Sequence, residues 1–295
     1  MLEEIALVTD SSACVPTGAR DRLGIIVVPI LVSIGGEEFR DGVDLDPGRL
    51  YRALERGLPV KSAAPSPLDY LEAIERTGVG DVIVITPATE FTRMFRNASL
   101  GAELSERRVT VIDSRSATAG HGLVILAAAR ARAEGGGFDD IVAVAEDAAA
   151  RVDLAACLES LSFLRQSGRV PAMALGLADH LGVRPVFRMR QGTAGRIGLP
   201  RSERAALARI VREWRESGGA GAEHVAVFHA GRPERADELA GMLGKAAWVT
   251  EFSAAMAIHT GPGVVGAAWL RPVAEGPGAG ARLEETQQRT QRFVP

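Results

Sequence analysis

His259 stands where an imidazole can do chemistry in this 295-residue sequence. It ends the apolar run Ser253-Ala254-Ala255-Met256-Ala257-Ile258. Thr260-Gly261-Pro262-Gly263 follows at once, and then the strand-like Val264-Val265-Gly266-Ala267-Ala268-Trp269-Leu270. An imidazole at the lip of an apolar core can donate to an anion without being solvated; a capping histidine is the plainer alternative. Two hydroxyl segments offer compatible chemistry. Ser62, in Lys61-Ser62-Ala63-Ala64-Pro65-Ser66-Pro67, reads as part of a polar link between helices, too early to cap the second. Thr92, in Thr89-Glu90-Phe91-Thr92-Arg93-Met94-Phe95, lies where a strand becomes a helix. There a hydroxyl and backbone N–H groups can hold an anion with no charged side chain. Each segment taken singly is equally an ordinary loop or cap. Phe91, Met94 and Phe95 fall at helical spacing and read as core.

Other chemistries find little support. Gly261-x-Gly263-x-x-Gly266 matches the dinucleotide fingerprint in form, but no strand precedes it and no βαβ unit fits in the chain that remains. No phosphate-binding Gly-x-x-x-x-Gly-Lys-Ser/Thr loop, Gly-x-Ser-x-Gly elbow or His-Glu-x-x-His motif occurs. His121, His180, His224 and His229 lack metal-ligand spacing and read as structural or surface residues. Cys14 and Cys157 form neither a disulfide framework nor a zinc pattern, which suits a reducing cytoplasm. No metal or cofactor is expected.

With 46% hydrophobic residues a large core is available, and 5% aromatics argue against base stacking as the main business. The net charge of −3 gives no general pull toward polyanions. Neither a secretory leader nor an apolar window long enough to span a bilayer is visible, so a cytoplasmic protein is expected.

The elements that must position these residues alternate as in α/β proteins. Strands are expected at residues 5–8, 25–32, 82–85 and 109–112. Pro29 should place the second at an edge or bulge, and Gly35-Gly36 should turn it into a hairpin partner through Phe39. Asp46-Pro47 and Ser66-Pro67, the latter with Asp69, open helices over 47–55 and 68–76. Further helices are expected from Thr92 to about 105 and over 117–134. The second half reads as a strand at 154–158, a short helix at 161–166 stopped by Gly168, and a hairpin of 186–189 with 196–198. Helices at 203–214 and 234–243 flank a strand at 225–228, and 248–250 should pair with 264–270. The expected architecture is α/β in two domains: residues 1–152 with a mostly parallel sheet, residues 153–275, and a frayed tail at 276–295. A ligand would sit between the domains.

Taken in order, several segments resemble the DegV family of bacterial fatty-acid-binding proteins, and the resemblance spans nearly the whole chain. They are Val8-Thr9-Asp10-Ser11-Ser12-Ala13, Ser62-Ala63-Ala64-Pro65-Ser66, Glu90 to Ala98, Val111-Ile112-Asp113-Ser114, Ser167-Gly168-Arg169-Val170 and His259-Thr260-Gly261-Pro262-Gly263. The resemblance implies a two-domain DegV-like fold enclosing one long-chain fatty acid. It implies a carboxylate held by Ser62, Thr92, Arg93 and His259. Ala63-Ala64 stands where the family has Ser-Gln, and Thr92-Arg93 where it has Ser-Gly. Arg169 is implied at the pocket mouth or in partner contact. The implied role is a carrier, not an enzyme, which presents the acid to a separate fatty-acid kinase subunit. Transient membrane contact is compatible with this role; nucleic acid is not an expected partner.

The physics is consistent with such a role. About fourteen buried methylenes at ~0.8 kcal/mol each leave tight binding after the costs of association. The carboxylate must then be paired, since a lone buried anion is prohibitive. The alternative reading is an enzyme acting on a small carboxylated or phosphorylated substrate in the same cleft. Arg184, Arg188, Arg190, Arg196, Arg201 and Arg204 make a basic stretch that reads as a solvated face or a docking surface; nucleic-acid binding is its weaker use.

Overall fold

The computed structural model of the chain describes residues 5–168, 182–244 and 248–273. Arg169, His180 and the tail expected at 276–295 lie outside them. Strands β1 (Ile5–Asp10), β2 (Ile25–Val28), β6 (Asp81–Thr86) and β7 (Arg108–Asp113) form an all-parallel sheet in the order β2-β1-β6-β7. The chain leaves β1 toward one edge and β6 toward the other, so the carboxyl ends of these two strands bracket a topological switch point.

The run expected as one strand at 25–32 is two. β2 ends at the sheet edge, and beyond Pro29 the chain enters β3 (Leu31–Ile34) of a second sheet. Proline offers no N–H to a ladder, so it marks the change of sheet. β3 pairs antiparallel with β4 (Glu37–Arg40) and with β5 (Val60–Ala63). β5 carries Ser62 opposite Val32, so the segment read as a link between helices is a strand. Its alternating exposure and lone partner strand explain why polarity disguised it.

Helices α2 (Pro47–Glu55) and α3 (Pro67–Arg76) start where their caps indicate. Asp46 accepts from the Arg49 N–H at 2.9 Å, and Ser66 and Asp69 form a reciprocal capping box. α4 (Met94–Glu103) and α5 (Thr118–Ala133) also fall near their expected spans. α1 (Thr17–Arg22) and α6 (Phe138–Arg151) were not anticipated. α6 opens with the Gly137 N–H donating to Asp140 at 3.1 Å.

The third sheet holds β8 (Val152–Cys157), β9 (Val186–Arg190), β10 (Thr193–Gly198), β11 (Val225–His229), β12 (Trp248–Glu251) and β13 (Val265–Leu270). Their order is β10-β9-β8-β13-β11-β12. Only β11 and β12 run parallel. The β9–β10 turn is the two residues Gln191 and Gly192, with φ of 46° and 76°, as a type I′ hairpin requires. β12 and β13 do not pair with each other as expected; β11 lies between them. The connection from β12 to β13 carries a helix, α10 (Ala254–Thr260), which leads the chain over the sheet face rather than back beside β12.

Side chains alternate across this sheet. Ala155, Cys157, Val227, Ala267 and Trp269 share one core with α8 (Glu203–Glu216) and α9 (Pro233–Leu243). Leu154, Ala156, Phe187, Met189 and Phe228 share the other core with α5 and the parallel sheet. α5 packs against strands of both sheets, and its apolar character all round follows from burial on every side. The short helix α7 (Ser162–Ser167) ends on Gly168 at φ 62°, the left-handed cap expected there.

Candidate functional site

Loops at the carboxyl ends of the parallel strands, the second face of the large sheet, β5 and α10 enclose a cavity of about 180 Å³. One water needs roughly 10–15 Å³, so this space is ligand-sized. Ser12 comes to its wall from the loop after β1, Phe91 and Thr92 from the loop after β6, and Ser116 from the loop after β7. The large sheet contributes Leu154, Ala156, Phe187, Met189 and Phe228, and α10 contributes Ala255, Met256 and His259.

Ser62, Thr92 and His259 therefore meet on one cavity. Ser62 Oγ and His259 Nε2 are 3.0 Å apart, joining residues separated by 197 positions. The Thr92 hydroxyl lines the same space and makes no hydrogen bond to another described residue. Thr92 immediately precedes Arg93, the N-cap residue of α4, so it sits at the positive end of that helix. Arg93 lies elsewhere: it is exposed and is not part of the cavity lining. Its φ of −92° is accessible to any residue, so no glycine is needed there. Of the other wall hydroxyls, that of Ser116 is buried and makes no hydrogen bond to another described residue, whereas those of Ser12 and Thr118 are engaged. Ser12 donates to Asp10 and Thr118 to the Cys14 sulfur, at 3.2 Å. Arg188 lines the cavity, but its guanidinium is bound to Glu213 of α8 at 2.9 Å. The walls are otherwise apolar.

The nearby titratable groups are structural. Asp41 is buried and accepts from the Ser11 hydroxyl at 2.7 Å, the Ser253 hydroxyl at 2.6 Å and the Ala254 N–H at 3.1 Å. It thereby pins the start of α10. Burial raises its pKa, opposed by the Ser253 and Ser11 bonds. Burial pushes Cys14 and Cys157 up to about 12, so both remain thiols and poor nucleophiles. His121 Nε2 lies 3.0 Å from the Ile85 carbonyl and 2.9 Å from Thr9 Oγ1, whose own proton goes to Ile85. The imidazole thus carries a proton on Nε2, and burial lowers its pKa although Asp10 opposes the shift. Among the described residues no group of three His, Cys, Asp or Glu is placed to hold a metal.

Asp10 gives a pH prediction. Burial raises its pKa above 3.8 against the opposing charge of His121, so the folded chain holds this proton more tightly than the unfolded one. Its contribution to stability is then complete below 3.8 and declines as pH rises through the folded value. Asp10→Asn keeps an oxygen for the Ser12 N–H, which donates to Oδ1 at 2.9 Å. The variant should gain on wild type as pH rises across that window. Denaturant unfolding at a series of pH values tests this; a difference that stays constant with pH would refute it.

The arginine stretch is largely committed within the fold. Arg184 pairs with Glu159, Arg188 with Glu213, and Arg190 with the fully buried Asp153 at 2.6 Å. Arg201 and Arg204 are exposed.

A family model described as "Uncharacterised protein, DegV family" matches residues 4–271. The chain belongs to the DegV family. Among its relatives, a DegV domain-containing protein of Caldanaerobacter subterraneus is 28% identical over 274 residues, covering 90% of this chain and 98% of the relative. One from Mycobacterium tuberculosis is 30% identical over 270 residues, covering 89% and 95%. A DegV family protein of Thermus thermophilus, described for its fatty acid binding, superposes with a TM-score of 0.84 at 26% identity, covering 91% of this chain and 99% of that one. DegV of Bacillus subtilis, a fatty acid binding protein, superposes at 0.81 with 23% identity over 92% and 100%, a likeness that speaks to the fold alone. No helix among the described residues of this DegV chain is long and apolar enough to cross a membrane.

Proposed function

We propose that this DegV protein binds one long-chain fatty acid in this cavity and presents its carboxylate, in the cytoplasm, to a separate fatty-acid kinase. The observation that carries the reading is a ligand-sized apolar cavity on whose wall the side chains of Ser62, Thr92 and His259 come together. An acyl chain suits such walls, and two hydroxyls with one imidazole can pair a carboxylate while leaving its oxygens able to attack. The fatty acid binding described for the Thermus thermophilus relative supports the same ligand. Arg169, outside the described residues, is carried in this proposal as a contact at the pocket mouth or with the partner.

Mass spectrometry of lipid extracted from freshly purified protein is expected to give a fatty acid in near-equimolar amount. Lipid-free protein that also takes up no added fatty acid would sink the reading. One observation favours a second reading: a serine hydroxyl 3.0 Å from an imidazole is also the spacing of a nucleophile and its base. Ser62-dependent burst release of product from a chromogenic acyl ester would establish that reading, and none is expected from a carrier.

A further inference from the structure

The cavity has a closed end. Phe187, Ala156, Gly266 and Phe228 are direct neighbours across β9, β8, β13 and β11, a row roughly 14 Å wide at the usual strand spacing. The two middle residues are small and the two outer ones are phenylalanines. Phe228 laps over Gly266: a Cβ there would lie 2.4 Å from the ring and 2.7 Å from the Ala155 carbonyl. Phe252 in turn stacks on Phe228, with ring centroids 5.8 Å apart and planes 25° apart. Helix α10 is 7 residues long, so roughly 10 Å of helix separates Phe252 at its start from His259 near its end. Exposure follows the same direction. Ser62, Thr92 and His259 are half-buried, whereas Phe228 and Phe252 are 1% and 3% exposed.

Behind Phe252 lies a second cavity of about 270 Å³, with Ser11, Asp41 and Ser253 in its wall. Among the described residues, Phe252 is the one common to both linings. We propose that Phe252, braced by Phe228 over Gly266, is the partition between the two chambers and the stop that sets the longest acyl chain the site accepts. A saturated chain entering head-outward meets the stacked rings with its terminal methyl. Further methylenes could advance only into a chamber whose hydroxyls and buried carboxylate would lose partners to an apolar tail. Phe252 is thus a specificity-determining residue.

The inference rests on the fatty-acid reading, and a homologous series of saturated fatty acids separates the two. In wild type, affinity should climb about fourfold per added methylene, the value of one buried CH₂, and then stop climbing at a break point. Phe252→Ala should move that break to longer chains, and Phe252→Leu should move it less in the same direction while keeping most of the packing. Phe91→Ala, beside Thr92, should weaken acids of every length with the break in place. In Phe252→Ala a terminal hydroxyl on the longest acids should be tolerated, because Ser11, Ser253 and Asp41 then come within reach; in wild type it should weaken binding severalfold. An unmoved break in Phe252→Leu, with an unfolding midpoint near wild type, would overturn the stop even if Phe252→Ala failed to fold. Equal hydroxyl penalties in wild type and Phe252→Ala would overturn the partition. If wild type bound no acid of any length, the functional reading itself would fall.

Discussion

Thr92→Val is expected to weaken fatty-acid binding tenfold to hundredfold and to leave the matching fatty alcohol nearly untouched. Valine keeps the shape of threonine and removes the hydroxyl, so the comparison isolates a hydrogen bond from packing. Losing one donor to a buried anion costs about 1.5–3 kcal/mol, because the carboxylate has surrendered water for that bond. Thr92 is the cleanest probe of the three, since its hydroxyl is engaged by no other described residue. Ser62 and His259 already bond to each other at 3.0 Å, so removing either one also removes a bond from the other. His259→Ala should nevertheless match or exceed Thr92→Val, because of the three side chains only the imidazole can carry a charge. Dissociation constants for acid and alcohol on each variant decide the matter. Equal losses for both ligands would mean that these side chains pack the chain and that the head group is held elsewhere.

What could be read in advance was local. Capping residues placed α2 and α3 to within a residue, and Gly168 stopped α7, because cap chemistry is written in a few adjacent side chains. Ser62, Thr92 and His259 stood out because polar residues at the ends of apolar runs are conspicuous. Their meeting was not legible from spacing; only the ordered resemblance of whole segments brought them together. The acyl wall was less visible still. β8 and β13 are buried on both faces, so the alternation that separates Leu154 and Ala156 from Ala155 and Cys157 leaves no polar trace. Pairing order was misjudged for β12 and β13 because both read as short apolar strands, and the placing of β11 between them is a tertiary choice. β5 reads as a link because Lys61 and Ser62 are polar and its single partner, β3, lies about thirty positions upstream. Asp41 gave no signal at all: an aspartate beside glycine in a polar stretch reads as a turn.

Asp41→Ala is accordingly expected to destabilise the protein by about 2–4 kcal/mol, more than an ordinary surface change, because it strands buried donors. The carboxylate takes both serine hydroxyls on Oδ2 and the Ala254 N–H on Oδ1. Ser11 and Ser253 border the second cavity, so water can recover part of what their hydroxyls lose. Ala254 borders that cavity too but is only 1% exposed, so its N–H recovers least. Relief from holding a buried acid works in the other direction, but a lost network of three bonds outweighs it. Asp41→Asn preserves the shape and one acceptor oxygen, and the serines can turn to accept from its amide, so its loss should be clearly smaller. Function should follow, because Asp41 anchors the first turn of the helix that carries His259. The Ala variant should bind fatty acid more weakly although Asp41 does not line the acyl cavity, and the fatty alcohol should weaken with it, unlike in Thr92→Val. Unfolding midpoints and both dissociation constants provide the check. An Ala variant within about 0.5 kcal/mol of wild type, the range of an inconsequential surface change, would show that the start of α10 is held by packing rather than by this carboxylate.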